Sequence, residues 1–547
     1  MTVNNTDTFL VERSGTSYKL QAQNLMADLQ DTDLMLVERS GTSYKATGLD
    51  IKNSLGSDEP TFKATASGAI STGRPVVKNS NGTVSQVSSV VVNHSSGSKQ
   101  TIRSGINLEY NRFDSCEIGN NKLCVIYDNS GTTYARIVTI SGSTLSYGTE
   151  VTVNTSGEGT KGVSVVMDSN NRLALFAGTK VRVATFSGTT ITLVGSNTDI
   201  YNPIYTSNRV TAAHSPHDNR IYVWHSWRIN AYAKYELVHT FQLSSSGITN
   251  RGPYEMLSTS VDDFDEKSAV YCPSKVGFLY CFFRPNDVNV GFVKSDGSSS
   301  GGPTKFPYIT RNSYFYPSIT WNTVLDKGFL VYTSGSTSGA TYITYISVDT
   351  TNNTVSFGNQ VTLFASQAHR HHKIVYDSSS DSLIYAFCDP TNNYRPSIMS
   401  IEASISGGTL SVANGTVYQT DSTNGSSTQV RNFLDTAYSG KVLQVYRQSN
   451  SVTDLTGNIV TVPNEITNLT ETNYIGIADG SFSNGQDAKT ITHLGTATTY
   501  SSSLSSGTTY YVQQNGNLGT TPYSKASVTA GVASSSSAID IDFGQAD

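Results

Sequence analysis

The sequence predicts a mainly β protein: a central β-propeller of about seven blades, inserted in a small β-sandwich or barrel domain and preceded by a small duplicated hairpin-helix module. Three observations predict it. Runs rich in Val, Ile, Tyr and Phe alternate with Ser, Thr, Asn and Gly while only 14% of residues are charged, the composition of strands and turns. Paired apolar segments return about every fifty residues through the middle of the chain. Similar hairpin sequences stand on either side of that periodic stretch. At 547 residues the chain exceeds one ordinary core and divides into units of about 150 residues each.

The N-terminal element is an internal duplication. Asp7-Thr-Phe-Leu-Val-Glu-Arg-Ser-Gly-Thr-Ser-Tyr-Lys19 returns as Asp33-Leu-Met-Leu-Val-Glu-Arg-Ser-Gly-Thr-Ser-Tyr-Lys45, an offset of 26. In each copy an apolar strand, Phe9-Leu10-Val11 or Leu34-Met35-Leu36, runs into Arg-Ser-Gly-Thr and returns through Ser-Tyr-Lys, which reads as a hairpin. Leu25 and Leu29 after the first hairpin, and Ile51 and Leu55 after the second, are spaced i,i+4 and predict a short helix with one apolar edge. Each unit is too small to stand alone, so residues 1–56 are expected to pack together or dock on a partner through these ten apolar positions.

A second repeat links the flanks. Gly73-Arg-Pro-Val-Val-Lys-Asn-Ser-Asn-Gly82-Thr-Val84 and Gly507-Thr-Thr-Tyr-Tyr-Val-Gln-Gln-Asn-Gly516-Asn-Leu518 share a strand, an Asn-Gly turn and a second strand at identical spacing. This predicts one β domain split into residues 61–92 and 466–547, with two independent β modules as the alternative.

The third repeat fills residues 110–450 of the propeller, which is expected to span residues 93–465. Its hairpins are anchored at Leu123, Leu173, Ile221, Phe278, Phe329, Leu383 and Val442, with steps of 50, 48, 57, 51, 54 and 59. About two further strand-like runs follow each anchor, so four strands recur per repeat, as in a propeller blade.

Catalytic signals are weak. Asp128-Asn-Ser-Gly131-Thr-Thr-Tyr134 approaches a sialidase-type Asp-box, but its Gly falls one place late, and it reads as a turn. Glycoside hydrolysis needs two facing carboxylates; the cluster Asp262, Asp263, Asp265 and Glu266 reads as a solvated loop, with a calcium site as the alternative. His369, His371 and His372 read as a surface strand or loop rather than a metal site. Cys116, Cys124, Cys272, Cys281 and Cys388 lack metal-type spacing and read as buried free thiols. We therefore assign no catalytic residue, no metal ligand and no cofactor, and expect the chain not to be an enzyme. Among 31 Tyr and three Trp, Trp227 and Trp224 are the candidates for ligand contact.

A net charge of −5 gives no electrostatic footprint for nucleic acid. No apolar run approaches the roughly 18 to 20 residues that span a bilayer, and Met1 to Asp7 lacks the features of a secretion signal, so neither membrane insertion nor export is expected.

The duplicated Leu-Val-Glu-Arg-Ser-Gly-Thr-Ser-Tyr-Lys, with Gln23-Asn-Leu-Met-Ala-Asp-Leu29 between the copies, resembles the N-terminal region of virion structural proteins of tailed marine phages, cyanophages especially. Asn473-Tyr-Ile-Gly-Ile-Ala-Asp-Gly-Ser-Phe-Ser-Asn-Gly485 and Ser505-Ser-Gly-Thr-Thr-Tyr-Tyr-Val-Gln-Gln-Asn-Gly516 are similar to the closing domain of tail-fibre-like and appendage proteins, and Ala66-Ser-Gly-Ala-Ile-Ser-Thr-Gly73 resembles the segment before the insert in the same group. The resemblance implies a tail-fibre, baseplate-associated or other appendage subunit. Such a protein is assembled in the host cytoplasm and carried on the virion, docks through its N-terminus and presents the propeller to the host surface. Other virion proteins of tail, baseplate or neck are the expected partners, with further copies of the chain and a host glycan or receptor. The alternatives are a polysaccharide-degrading propeller enzyme and a purely architectural capsid or neck decoration subunit.

Overall fold

The computed structural model of the protein describes residues 8–13, 16–21, 34–39, 42–47, 61–106, 113–119, 121–155, 162–178, 180–200, 210–228, 234–249, 255–259, 267–284, 287–295, 303–307, 317–334, 339–365, 369, 372–422, 433–438, 440–447, 454–492, 495–497, 504–523 and 527–541. The protein is mainly β, and the helical pieces among these residues are two 3₁₀ turns, Pro273–Lys275 and Pro390–Asn392. The chain divides into two compact units, Val92–Asn464 and the paired flanks Met1–Val91 with Glu465–Asp547.

Both N-terminal hairpins form. Thr8–Arg13 pairs with Thr16–Gln21 and Leu34–Arg39 with Thr42–Thr47, each ladder ending at an Arg opposite a Thr. Val11 lies opposite Met35 and Glu12 opposite Leu34, so the copies join through their first strands into one four-stranded sheet. Phe9, Leu10, Val11, Leu34, Met35 and Leu36 therefore lie on the two central strands. No α-helix occurs among the described residues, and the helices expected at Leu25 and Leu29 and at Ile51 and Leu55 lie outside the described residues.

The rest of the flanking unit holds two five-stranded sheets with equivalent strand order. One runs Thr61–Thr65, Asp487–Thr492, Tyr474–Ala478, Pro75–Lys78, Val84–Gln86; the other runs Gly495–Ala497, Ile539–Ile541, Thr529–Ala533, Thr509–Val512, Leu518–Gly519. The equivalence extends to single bonds. Gly82 N–H donates to the Asn79 carbonyl at 3.0 Å and Gly516 N–H to the Gln513 carbonyl at 2.9 Å. Thr83 N–H donates to Asn81 Oδ1 at 3.1 Å, and Asn517 N–H to Asn515 Oδ1 at 2.9 Å. A bulge interrupts the ladder between Tyr474 and Gly476 in one sheet and faces Tyr510 and Tyr511 in the other, and the glycines there, Gly476 and Gly531, have φ of 138° and 147°. One apolar cluster joins the sheets, with Val77, Tyr474 and Ile477 from the first and Tyr510, Val512, Ala533 and Ile539 from the second.

In Val92–Asn464 the described residues form seven antiparallel sheets in a β-propeller-like arrangement. Their first strands are Phe113–Glu117, Val163–Met167, Val210–Ser215, Lys267–Cys272, Ser318–Asn322, Lys373–Asp377 and Phe433–Tyr438. Each lies against the next, and the last lies against the first. All seven anchors fall on second strands and are at most 1% exposed, because period-2 alternation turns those positions toward neighbouring sheets. Every neighbouring pair of sheets shares an apolar cluster: Ile137 with Leu175, Phe176 with Ile221, Trp224 with Phe278, Leu279 with Trp321, Phe329 with Leu383, Ile398 with Val460, and Leu123 with Leu443. Each such large side chain, fully buried, contributes about 1.5–3 kcal/mol. The seventh sheet takes its outer strand from the other end of the unit, Gln100–Arg103 beside Leu455–Thr461.

Candidate functional site: a polar pocket at the ring seam

The first strands carry polar side chains that clasp the next sheet. Val165 N–H and the Ser164 hydroxyl donate to Asp114 Oδ2 at 3.1 and 2.7 Å; Ala212 N–H donates to Ser164 Oγ at 3.2 Å, Ile319 N–H to Ser268 Oγ at 3.3 Å, and Ile374 N–H to Ser318 Oγ at 3.0 Å. Burial pushes the Asp114 carboxyl above the ordinary carboxylate range, against the Ser164 hydrogen bond and the charge of Lys373. These groups are spent on one another, which makes them a structural ladder.

A different arrangement stands where the sixth and seventh sheets meet. Arg395–Ser406 turns through Gly407 and Gly408, both at positive φ, and returns as Thr409–Asn414. The chain then leaves the ladder and rejoins the same strand as Tyr418–Gln419, opposite Ser397 and Ile398. Between the two pairings Gly415 N–H donates to the Ser400 carbonyl at 2.8 Å. Ile398, Ser400 and Glu402 share one face by strand periodicity, and Ser382 stands beside Glu402 on the neighbouring strand. From the seventh sheet, Ser95 and Ser96 pair with Thr461 and Val460 and bring His94 across.

The result is a pocket of about 480 Å³ lined by Ser382, Ser400 and Glu402, by Asn414 and Thr416 of the excursion, and by His94 and Tyr418. The His94 and Tyr418 rings stack, 5.3 Å apart and 4° from parallel, and Ser96 N–H fixes the Tyr418 hydroxyl at 3.0 Å. Burial pulls the His94 imidazole down to about 4, so it is neutral at physiological pH. Two buried polar atoms there, Ser400 Oγ and His94 Nε2, make no hydrogen bond to protein. An unpaired buried polar group costs about 1–3 kcal/mol. Glu402 is exposed, and the lining contains no Lys or Arg.

None of the residues selected from the sequence lies in this pocket. Trp224, a candidate for ligand contact, is instead 2% exposed and packs against Tyr222, Phe278 and Tyr280 between the third and fourth sheets, which leaves no ring face for a ligand. Trp227 ends the strand Arg220–Arg228, but its side chain lies outside the described residues, as do Asp262, Asp263, Asp265, Glu266 and His371. His369 and His372 are buried rather than on a surface strand. His369 stacks on Phe387 with ring centres 4.1 Å apart and lies 3.1 Å from the Tyr385 hydroxyl, while His372 Nδ1 donates to the His369 carbonyl at 2.9 Å. Burial holds the His369 imidazole well below its ordinary range. Asp128 to Gly131 is a turn closed by Gly131 N–H on Asp128 Oδ2 at 3.2 Å. All five cysteines are free thiols, four buried and Cys116 half-buried.

Sequence reasoning missed the pocket because its residues come from distant segments and belong to the commonest types in the chain. The local signal was the break in strand pattern at Asn414-Gly-Thr-Val-Tyr418, where glycine and a β-branched pair interrupt alternation.

Among the described residues, no helix is long and apolar enough to cross a membrane, and no three His, Cys, Asp or Glu are grouped so as to hold a metal ion. No protein-family model matches the chain, and no curated protein matches it. Solved β-propeller-like structures do. A protein from Lactobacillus plantarum is 11% identical, with a TM-score of 0.40, over 57% of this chain and 86% of that one. A putative 6-phosphogluconolactonase from Bacteroides uniformis is 10% identical, with a TM-score of 0.36, over 56% and 85%. The PQQ-bound aldose sugar dehydrogenase of Streptomyces coelicolor is 10% identical, with a TM-score of 0.33, over 67% and 98%. This likeness is one of fold. Several of the similar folds are named as enzymes, against the expectation that this chain is not one, and at this identity the likeness shows the fold alone.

Proposed function

We propose that the chain is a virion appendage subunit of a tailed phage. Residues 1–56 hold it on the particle, several copies stand together, and the ring meets the host surface. In this reading the seven sheets are the blades of a closed seven-bladed propeller, and the two flanking sheets are a β-sandwich. The ring of first strands, each against the next and the last against the first, supports the blade count. The apolar cluster shared by the flanking sheets supports the sandwich.

The observation that carries the docking claim is the N-terminal sheet. Two copies of one segment join edge to edge and place Phe9, Leu10, Val11, Leu34, Met35 and Leu36 on its central strands, while Thr16–Gln21 and Thr42–Thr47 remain as edges able to pair with another chain. A chain beginning at Ser57 is expected to fold and to be missing from purified particles; normal incorporation would defeat the docking claim. Incubating the full chain with host envelope polysaccharide and assaying new reducing ends separates binding from cleavage.

A further inference from the structure

We propose that the pocket at the seam of the sixth and seventh sheets binds a neutral sugar ring. Its chemistry is that of a polyol site. Ser400, Asn414 and Thr416 offer hydroxyl and amide groups, and Glu402 offers two carboxylate oxygens that can accept from vicinal hydroxyls. The stacked His94 and Tyr418 rings line the pocket and add aromatic surface of the kind that packs against the apolar face of a pyranose. Sugar hydroxyls both donate and accept, which suits the mixed hydroxyl, amide and carboxylate groups of Ser400, Asn414, Thr416 and Glu402. With one carboxylate and no Lys or Arg in the lining, and with His94 neutral, phosphates, sulfates and sialic acids are disfavoured. A volume of about 480 Å³ falls within the range of small-molecule sites, about 300–1,000 Å³.

The pocket also stands where a site can form without weakening the ring. The excursion Gly415 to Val417 lies between two pairings of the outer strand, and Asn93 and His94 lie just before the pairing of Ser95 and Ser96, so the cavity is walled largely by connections rather than cut out of a packed interface.

The proposal depends on the virion reading only for the source of the sugar. Titration uses the isolated full chain and incorporation into particles uses the N-terminus, so either claim can fail alone. The probes are glucose, galactose, mannose and N-acetylglucosamine, their methyl glycosides and short neutral oligosaccharides, with sialic acid and choline as charged competitors, measured by calorimetry and ligand-observed NMR. At least one neutral sugar is expected to bind. Glu402→Gln and Thr416→Trp, both at exposed positions, are each expected to weaken it at least tenfold without moving the melting temperature. Binding of oligosaccharides and methyl glycosides assigns the site to the end of a glycan chain, and binding of reducing monosaccharides alone assigns it to a free sugar; either supports the site. No binding by any neutral sugar, preference for sialic acid or choline, or binding untouched by both substitutions would overturn it.

Discussion

The two flanking sheets are built alike and threaded differently. From Gly495 to Ile541 five strands follow one another, and Leu518–Gly519 passes to Thr529–Ala533 through a short connection. In the other sheet the equivalent connection, from Val84–Gln86 to Tyr474–Ala478, contains the whole ring. Strand order, bulge and turn bonds are unchanged by this insertion. The chain bonds of a sheet thus matter less to it than the ladder, provided that an insert returns its ends to the same place. This one does: Ser95 and Ser96, near its beginning, pair with Thr461 and Val460, near its end. The entropic cost of a long connection rises only logarithmically, by about 0.6 kcal/mol per doubling, and a folded insert with adjacent ends avoids most of it.

If the two sheets are equivalent, matched substitutions should have matched effects. The largest is expected at the bulge glycines. Gly531 at φ 147° and Gly476 at φ 138° hold conformations costing a side chain about 1–3 kcal/mol, and a Cβ at Gly531 would also meet the Asp540 carbonyl oxygen at 2.2 Å. Gly531→Ala should lower the denaturation midpoint more than Gly476→Ala, and both should lower it; a neutral result at either position breaks the equivalence.

Acid should separate the ring from the flanks. His369 is buried neutral, with its folded affinity for protons held well below that of an ordinary imidazole, so the unfolded chain binds the extra proton. The stability this contributes is complete above the unfolded value and is lost as pH falls below it, by up to about 1.4 kcal/mol per pH unit. The ring's melting temperature should therefore fall between pH 6.5 and 4.5, more steeply in the native chain than in His369→Phe. Equal slopes would contradict the account.

The smallest effect is expected at the turns. Asn81→Ala and Asn515→Ala each remove one acceptor from a backbone N–H and should cost a similar amount, about 0.5–1.5 kcal/mol, in urea titrations.

The sequence made the ring legible because each anchor, from Leu123 to Val442, sits in an apolar run too short for a helix and is repeated often enough to measure a period. The turn repeat was equally visible at Gly82 and Gly516. The matching strands Tyr474–Ala478 and Thr529–Ala533 were not, since they share only Gly-Ile-Ala against Gly-Val-Ala, too little text to align. Trp224 and His369 were misplaced for a common reason: aromatic and imidazole rings suit a binding face and an inter-sheet core equally, and only burial separates them. The pocket was illegible because Ser400 and Glu402 look like any other polar positions on a Ser-rich strand, and His94 meets Tyr418 only after the ring closes.

The insertion is tested most directly by removing it. Joining Val91 to Glu465 through a copy of the connection between Gly519 and Thr529, and expressing 92–464 separately, should give two folded proteins. Each should show dispersed amide spectra and its own cooperative melt, with the acid-sensitive transition belonging to 92–464. A joined flank that is unfolded while the full chain is stable would contradict the account, because the flanking sheets would then depend on the segment inserted between their strands.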